Sequence, residues 1–323
     1  MFYVINLLKN KTNGYIMKII DIVRNYFRDP GQIYIKGKSE KGIREENQDN
    51  ILMIFPSKDQ VLAQYYKDDQ LIAKPIDIWD FDYARVAVAD GMGGHFYGKE
   101  IAESAIEALI DIPPQTSEND MRDSILEIHA MLQDKYHSKY QKHPGTTIVL
   151  ADIHIKTSKT LLLNVGDSRA YIVKKNCWMN KTHDHTITEF YYRDAEIDKI
   201  DYEAQLEMPT SKIVQALGYG SSGIVKDQNG NKPIRYSKKL RIDLAQDLPR
   251  KLSHHADVSS FFLKKGETLL LATDGLWSAD NTNQWIPEDD IDYYEENTPC
   301  NLIEKALDNG SRDNISVAIV GFQ

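Results

Sequence analysis

The sequence predicts an α+β fold, and three observations carry that prediction. Short runs rich in Val, Ile, Leu and Thr (Val86–Ala89, Thr146–Ile155, Thr160–Lys174, Thr268–Thr273, Ile315–Phe322) read as buried strands. Stripes of apolar residues at helical spacing separate some of them. Aspartates followed or preceded by turn-forming residues stand at the ends of several apolar runs, which marks strand boundaries rather than strand interiors.

The chain has 323 residues, about two average domains by length, although single sandwich domains reach ~250 residues. Hydrophobic residues make up 41% and charged residues 27%, which excludes disorder of the whole chain. Lys plus Arg number 39 against 48 Asp plus Glu, a net charge of −9, and an acidic surface repels phosphate backbones, so no nucleic-acid partner is expected. Two distant cysteines, Cys177 and Cys300, make no disulfide framework and suit a reducing compartment. No stretch of 18 apolar residues occurs, so no transmembrane segment is expected. A monomer in the cytoplasm is the expectation.

Residues 1–30 read as an N-terminal extension. From Met17 to Arg28, Ile19, Ile20, Val23 and Phe27 recur at helical spacing opposite Lys18, Asp21 and Arg24, the pattern of an amphipathic helix. It packs on the body or docks on a membrane surface or partner. Residues 31–323 then read as one domain. Val86–Ala89 ends in Asp90-Gly91-Met92-Gly93-Gly94, and a helix follows over Gly98–Ile110. Ser117 is an N-cap for a second helix, whose stripe is Met121, Ile125, Ile128, Leu132 and Tyr136. Gly166-Asp167-Ser168 breaks the run from Thr160 to Lys174 into two strands, with Asp167 and Arg169 stabilising the turn. Residues 175–265 are polar and turn-rich, apart from a helix over Asp194–Leu206, and 218–251 read as a loop insertion. Thr298 with Pro299 starts a last helix and Gly310 follows its end.

Asp49, Asp90, Asp274 and Asp313 share one context: each lies at the boundary of a buried strand. A strand end is a rigid mount, and Gly91 and Gly275 permit close backbone approach. Four carboxylates gathered together repel one another unless a cation neutralises them. Oxygen donors without a Cys or His cluster favour Mg²⁺ or Mn²⁺ over Zn²⁺. Cysteine-based phosphate chemistry is excluded, because the residues six places after Cys177 and Cys300 are His183 and Ala306 rather than Arg.

Six ordered motifs resemble the metal-dependent (PPM) Ser/Thr protein phosphatases, type 2C, in a bacterial-like form. They are Arg44-x-x-Asn47-Gln48-Asp49-Asn50, Asp90-Gly91-Met92-Gly93-Gly94-His95, Gly145-Thr146-Thr147, Gly166-Asp167-Ser168-Arg169, Asp274-Gly275-Leu276-Trp277 and Ser311-Arg312-Asp313-Asn314. The resemblance implies a four-layer αββα sandwich, two central antiparallel sheets flanked by helix pairs, with two Mn²⁺ or Mg²⁺ ions at one end. It implies that Asp90 bridges both ions, that the Gly91 carbonyl binds one, and that Asp274 and Asp313 hold the other. Asp49 would ligate or orient bound water, and Arg44 would clamp the substrate phosphate. The implied activity is hydrolysis of phosphoserine and phosphothreonine on proteins, opposing a Ser/Thr kinase, by a metal-activated water. The alternatives are a small-molecule phosphate monoesterase on the same scaffold and a phosphoprotein-binding pseudophosphatase.

The sequence departs from the family pattern in places. His143 (with Pro144) and Ser278 stand where the family's third ion is expected to find carboxylates, so that ion is expected to be weak or absent. Met92 replaces a proposed general acid, and His95 is read as packing. His183 and His185, in Thr-His-Asp-His-Thr, read as part of a polar loop. The 175–265 segment occupies the place of the family's flap, where contact with the phosphoprotein is expected.

Overall fold

The computed structural model describes residues 32–77, 79–92, 97–137, 144–175, 177–193, 195–206, 213–219, 225–226, 233–234, 257–277 and 295–323. The strands are β1 (Ile33–Glu40), β2 (Asp49–Ser57), β3 (Gln60–Lys67), β4 (Gln70–Ile76), β5 (Tyr83–Met92), β6 (Gly145–Thr146), β7 (Ile148–His154), β8 (Lys159–Val165), β9 (Arg169–Lys174), β10 (Cys177–Asn180), β11 (Val225–Lys226), β12 (Pro233–Ile234), β13 (Asp257–Phe262), β14 (Thr268–Ala272) and β15 (Ile315–Phe322). The helices are α1 (Gly98–Ile110), α2 (Glu118–His137), α3 (Ile187–Arg193), α4 (Lys199–Leu206) and α5 (Thr298–Asp308).

Two antiparallel sheets form the body, one ordered β1-β15-β14-β9-β10 and the other β13-β8-β7-β5-β2-β3-β4, with β6 beside β5. Side-chain parity explains the layering. Along β2, Ile51 and Met53 point to one face and Leu52 and Ile54 to the other, as the twofold period of a strand requires. Ile51, Met53, Val86 and Val88 meet Ile172, Leu269, Leu271, Ala318 and Val320 of the smaller sheet. The opposite face, with Leu52, Ile54, Ala87 and Leu163, is covered by Ile101, Ala105, Ile106, Ile125, Ile128 and Leu132 of α1 and α2. Leu302, Ile303 and Ala306 of α5 cover the outer face of the smaller sheet. Both faces of each central strand are therefore buried, which is why these strands read as mostly apolar runs. The result is the expected α+β sandwich, helix–sheet–sheet–helix, with one helix on the second outer face among the described residues.

The Ser117 cap is present: Asp120 N–H donates to Ser117 Oγ at 3.2 Å, and Ser117 Oγ donates back to Asp120 Oδ2 at 2.6 Å. The last helix begins at Thr298 itself, with Asn297 at the cap position and Pro299 in the first turn. Among the described residues, four strands lie in the stretch that reads as turn-rich: β10 extends the smaller sheet, β13 forms an edge of the larger one against β8, and the two-residue strands β11 and β12 pair with each other. β10 and β13 are short edge strands with no buried residue, so no long apolar run announced them. Of the helix expected over Asp194–Leu206, only Lys199–Leu206 (α4) is helical among the described residues, and a separate helix, α3, precedes that range. The N-terminal helix, His95, His143 and Ser278, and most of 218–251, lie outside the described residues. Among the described residues no helix is long and apolar enough to cross a membrane.

Candidate active site

The register of the larger sheet brings the first two acidic residues together. β2 and β5 are antiparallel with Asp49 directly opposite Asp90. Like charges in direct cross-strand register are destabilising, so this pairing does not serve the sheet. From the smaller sheet, Thr273 Oγ1 donates to Asp49 Oδ2 at 2.7 Å, which ties the end of β14 to the start of β2. Asp274 follows Thr273 at once, in a short 3-10 turn. Gly275 lets that turn lie against β15, since a Cβ there would stand 1.9 Å from the Asn314 carbonyl oxygen.

Asp313 and Arg44 arrive from opposite ends of the chain. Arg44 Nη2 donates to Asp313 Oδ2 at 2.8 Å and Arg44 Nε to the Arg312 carbonyl at 2.9 Å. Asn314 holds the turn that carries Arg44: its Nδ2 donates to the carbonyls of Lys41 and Glu46, both at 2.9 Å, and its Oδ1 accepts from Gln48 N–H at 2.9 Å. Gly91 N–H donates to the Gln48 carbonyl at 3.1 Å, so the Asp90-Gly91 corner is fixed to the same turn. A Cβ on Gly91 would stand 2.0 Å from the Gly98 carbonyl, which places the start of α1 directly against the corner.

The electrostatics of this end of the sandwich are those of crowded acids. Burial, and then the charges of Asp274 and Asp313, push the Asp49 carboxyl far above its usual range, against the pull of the Thr273 hydroxyl. Burial, and then the charges of Asp49, Asp274, Asp167 and Asp313, raise Asp90. Asp274 is raised by burial and by Asp313, with Arg169 opposing. Asp167, read from the sequence as a turn stabiliser, belongs to the same group. Burial and the charges of Asp274 and Asp184 raise it, and its Oδ1 is buried without a hydrogen-bond partner among the described residues.

The donor set fits hard divalent cations: buried carboxylate oxygens, one of them unpartnered, raised by one another's charge, with no sulfur or imidazole among them. Among the described residues no three His, Cys, Asp or Glu side chains close on one point as a finished coordination sphere. The carboxylates are neighbours at strand ends, with Asp49 engaged by Thr273 and Asp313 by Arg44 and the Asn314 amide.

Several residues singled out in the sequence as motif, turn or loop residues make contacts whose partners the sequence did not indicate. Thr147 brackets Asp90, donating its N–H to the Asp90 carbonyl at 2.8 Å and accepting from the Asp90 N–H at its Oγ1 at 3.1 Å. Arg169 forms a two-pronged bond with Asp184, at 2.9 and 2.7 Å, and lies 4.5 Å over the Trp277 ring. His183 Nδ1 lies 2.9 Å from Glu189, and His185 is buried beside Gly166.

Residues 81–200 match the family model described as Protein phosphatase 2C. The chain is 33% identical over 124 residues to the serine/threonine phosphatase Stp of Listeria welshimeri, covering 36% of this chain and 49% of that protein. It is 23% identical over 248 residues to the protein phosphatase PhpP of Streptococcus pneumoniae, covering 73% of this chain and 85% of that one. The Stp match thus spans about half the length of that relative. Among solved structures, the serine/threonine phosphatase of S. agalactiae superposes with a TM-score of 0.61 at 20% identity, over 90% of this chain and all (100%) of the other. The catalytic domain of the serine/threonine protein phosphatase PstP, solved with 2 manganese ions, superposes with a TM-score of 0.53 at 18% identity, over 90% and 97%. With the motifs in order and the same sandwich beneath them, the chain resembles the bacterial-type PPM, or type 2C, phosphatases.

Proposed function

We propose that this protein is a metal-dependent phosphatase that hydrolyses phosphoserine and phosphothreonine on proteins by direct attack of an activated water. The observation that carries the reading is the gathering of Asp49, Asp90, Asp167 and Asp274 at one end of the sandwich, each raised by burial and by its neighbours' charge. Such a group is costly unless a cation answers it. Asp90, Asp274 and Asp313 with the Gly91 carbonyl would hold two ions, Mn²⁺ or Mg²⁺, and Asp49 would ligate or orient water. When bound, such a pair supplies a nucleophile near neutral pH and positive charge for the phosphoryl oxygens.

The chain's own residues do the rest. Arg44 is half exposed at the rim, and its Nη1 makes no hydrogen bond among the described residues, so a planar donor pair is available to a phosphate. Thr147 and Thr273 fix the backbone of Asp90 and the carboxyl of Asp49, which keeps both ligands in place through the reaction. The weak third ion expected from His143 and Ser278 has a further carboxylate to draw on, since Asp167 lies beside Asp274. The names of the Listeria and Streptococcus relatives support a protein substrate, phosphorylated by a Ser/Thr kinase, and a cytoplasmic site of action fits the low cysteine content.

The test is hydrolysis of an aryl phosphate with Mn²⁺ and with EDTA, followed by panels of phosphopeptides and phosphorylated metabolites. Activity is expected with Mn²⁺, abolished by EDTA, and reduced by orders of magnitude in Asp90→Asn. Activity indifferent to EDTA, or Asp90→Asn near the parent rate, refutes the metal mechanism. Preference for metabolites refutes the protein substrate.

A further inference from the structure

His185 is fully buried, and it holds both backbone groups of Gly166. Its own N–H donates to the Gly166 carbonyl at 2.8 Å, and its Nδ1 accepts from the Gly166 N–H at 3.2 Å. Gly166 has a φ of +107° and immediately precedes Asp167. A Cβ on Gly166 would stand 2.6 Å from Thr147 Cγ2, so this turn is seated on Thr147. On the other side of Asp167, the Ser168 and Thr147 hydroxyls are hydrogen-bonded at 2.7 Å. Thr147 in turn brackets the backbone of Asp90. The His185 backbone N–H and its imidazole Nδ1 therefore together hold the turn that carries Asp167, the ring supplying the bond to the Gly166 N–H, and this turn, through Thr147, abuts the mount of Asp90.

The imidazole stands beside a fixed carboxylate, although its Nε2 is buried without a hydrogen-bond partner among the described residues. With Nδ1 accepting, a neutral ring carries its proton on Nε2. Nε2 lies 3.5 Å from Asp257 Oδ2, and Arg193 Nη1 holds that oxygen at 2.9 Å. Asp257 opens β13 and Arg193 ends α3, so that carboxylate is placed by two elements within the polar segment. A tightly packed histidine needs no carboxylate partner to fill space, whereas one that orients a ligand-bearing turn gains from a fixed tautomer.

We propose that His185 is a positioning residue, which with Asp257 aims the Asp167 carboxylate at the cation site beside Asp274 and Asp90. The inference rests on the reading of those aspartates as a divalent-cation site. His185→Ala removes the Nδ1 acceptor, while His185→Asn puts an amide oxygen near the place of Nδ1 and keeps it.

The test is Mn²⁺ titration of each purified full-length variant, read from the electron paramagnetic resonance signal of free Mn²⁺, with thermal melting measured in parallel. His185→Ala is expected to weaken Mn²⁺ binding roughly 10–100-fold, the usual loss when a residue behind a metal ligand is removed. His185→Asn should restore most of it. His185→Ala that melts lower yet binds Mn²⁺ as the parent does makes His185 a packing residue and overturns the proposal. So does His185→Asn binding as weakly as His185→Ala. If His185→Ala does not fold, His185→Asn is compared with His185→Gln, whose amide reaches the Nε2 position instead; equal affinity in the two overturns the proposal. A parent chain that binds no Mn²⁺ overturns the cation site itself, and this inference with it.

Discussion

Arg85 and Asp152 form an ion pair with both side chains 0% exposed, on the face of the larger sheet that α1 covers. Arg85 Nε and Nη2 donate to the two Asp152 oxygens at 2.6 and 2.7 Å, and its remaining donors reach the carbonyls of Leu109, Ile112 and Pro113 at 2.6, 2.9 and 3.2 Å. Its guanidinium also lies 4.7 Å over the Trp79 ring. Arg85 thus caps the C-terminal end of α1 from inside the protein, where a cation is favoured. Arg85→Met fills the space of the stem but leaves Asp152 buried with the Gln115 amide as its one remaining hydrogen-bond donor, and strips three carbonyls of their partner. Removing one member of a buried pair costs about 3–5 kcal/mol. At about 2 °C per kcal/mol for a domain of this size, thermal unfolding followed by circular dichroism should shift down by roughly 6–10 °C. Arg85→Met with Asp152→Leu should recover part of that loss, because no charge is then left alone in the interior. A single variant melting within about 2 °C of the parent, or a double variant as unstable as the sum of the singles, would refute the reasoning.

Gly275→Ala drives a methyl into the Asn314 carbonyl, and that clash displaces Asp274 and Asp313 together. It should abolish Mn²⁺ binding in calorimetry, which a tolerated substitution would leave intact. Asp90→Asn in metal-free buffer should melt at or above the parent temperature, since it removes one charge from a group of mutually repelling acids. A clear drop would mean that Asp90 has a structural partner. His183 is raised by its hydrogen bond to Glu189, against the opposing effect of burial, so its contribution is present below its unfolded value of 6.5 and is lost as pH rises through the raised one. The ring is largely exposed, so solvent screening limits the worth of the pair to about 0.2–1 kcal/mol. His183→Gln should lower the urea midpoint at pH 6 and leave it unchanged at pH 9; equal effects at both would contradict the pairing.

The central strands were readable because both their faces are buried, which turns β5, β7, β8, β14 and β15 into mostly apolar runs, interrupted by a few buried polar residues such as Arg85, Asp152 and Asn164. α1 and α2 were readable from their spacing. The β3–β4 hairpin and the edge strands β10 and β13 were not, because they are short and bury few residues, so that apolar side chains such as Leu71, Met179 and Phe262 stand at exposed positions and no period survives. Asp49, Asp90, Asp274 and Asp313 announced themselves by standing at strand ends. Asp167 did not, since one aspartate after a glycine reads as a turn until its neighbours in space are known. The roles of Thr147, Thr273 and Asn314 are contacts between residues far apart in sequence, and nothing local distinguishes them from ordinary strand-end polar residues.

The hold of Asn314 on the turn around Arg44 spans more than 260 residues of chain, with separations of 266 to 273. β15, which Asn314 precedes, also lies between β1 and β14 and, among the described residues, is the strand that joins them. A growing polypeptide released up to Trp277 carries Asp49, Asp90, Asp167 and Asp274 but has nothing to seat Arg44 or to complete the smaller sheet. The contacts that seat Arg44 therefore form only once β15 has entered the middle of its sheet.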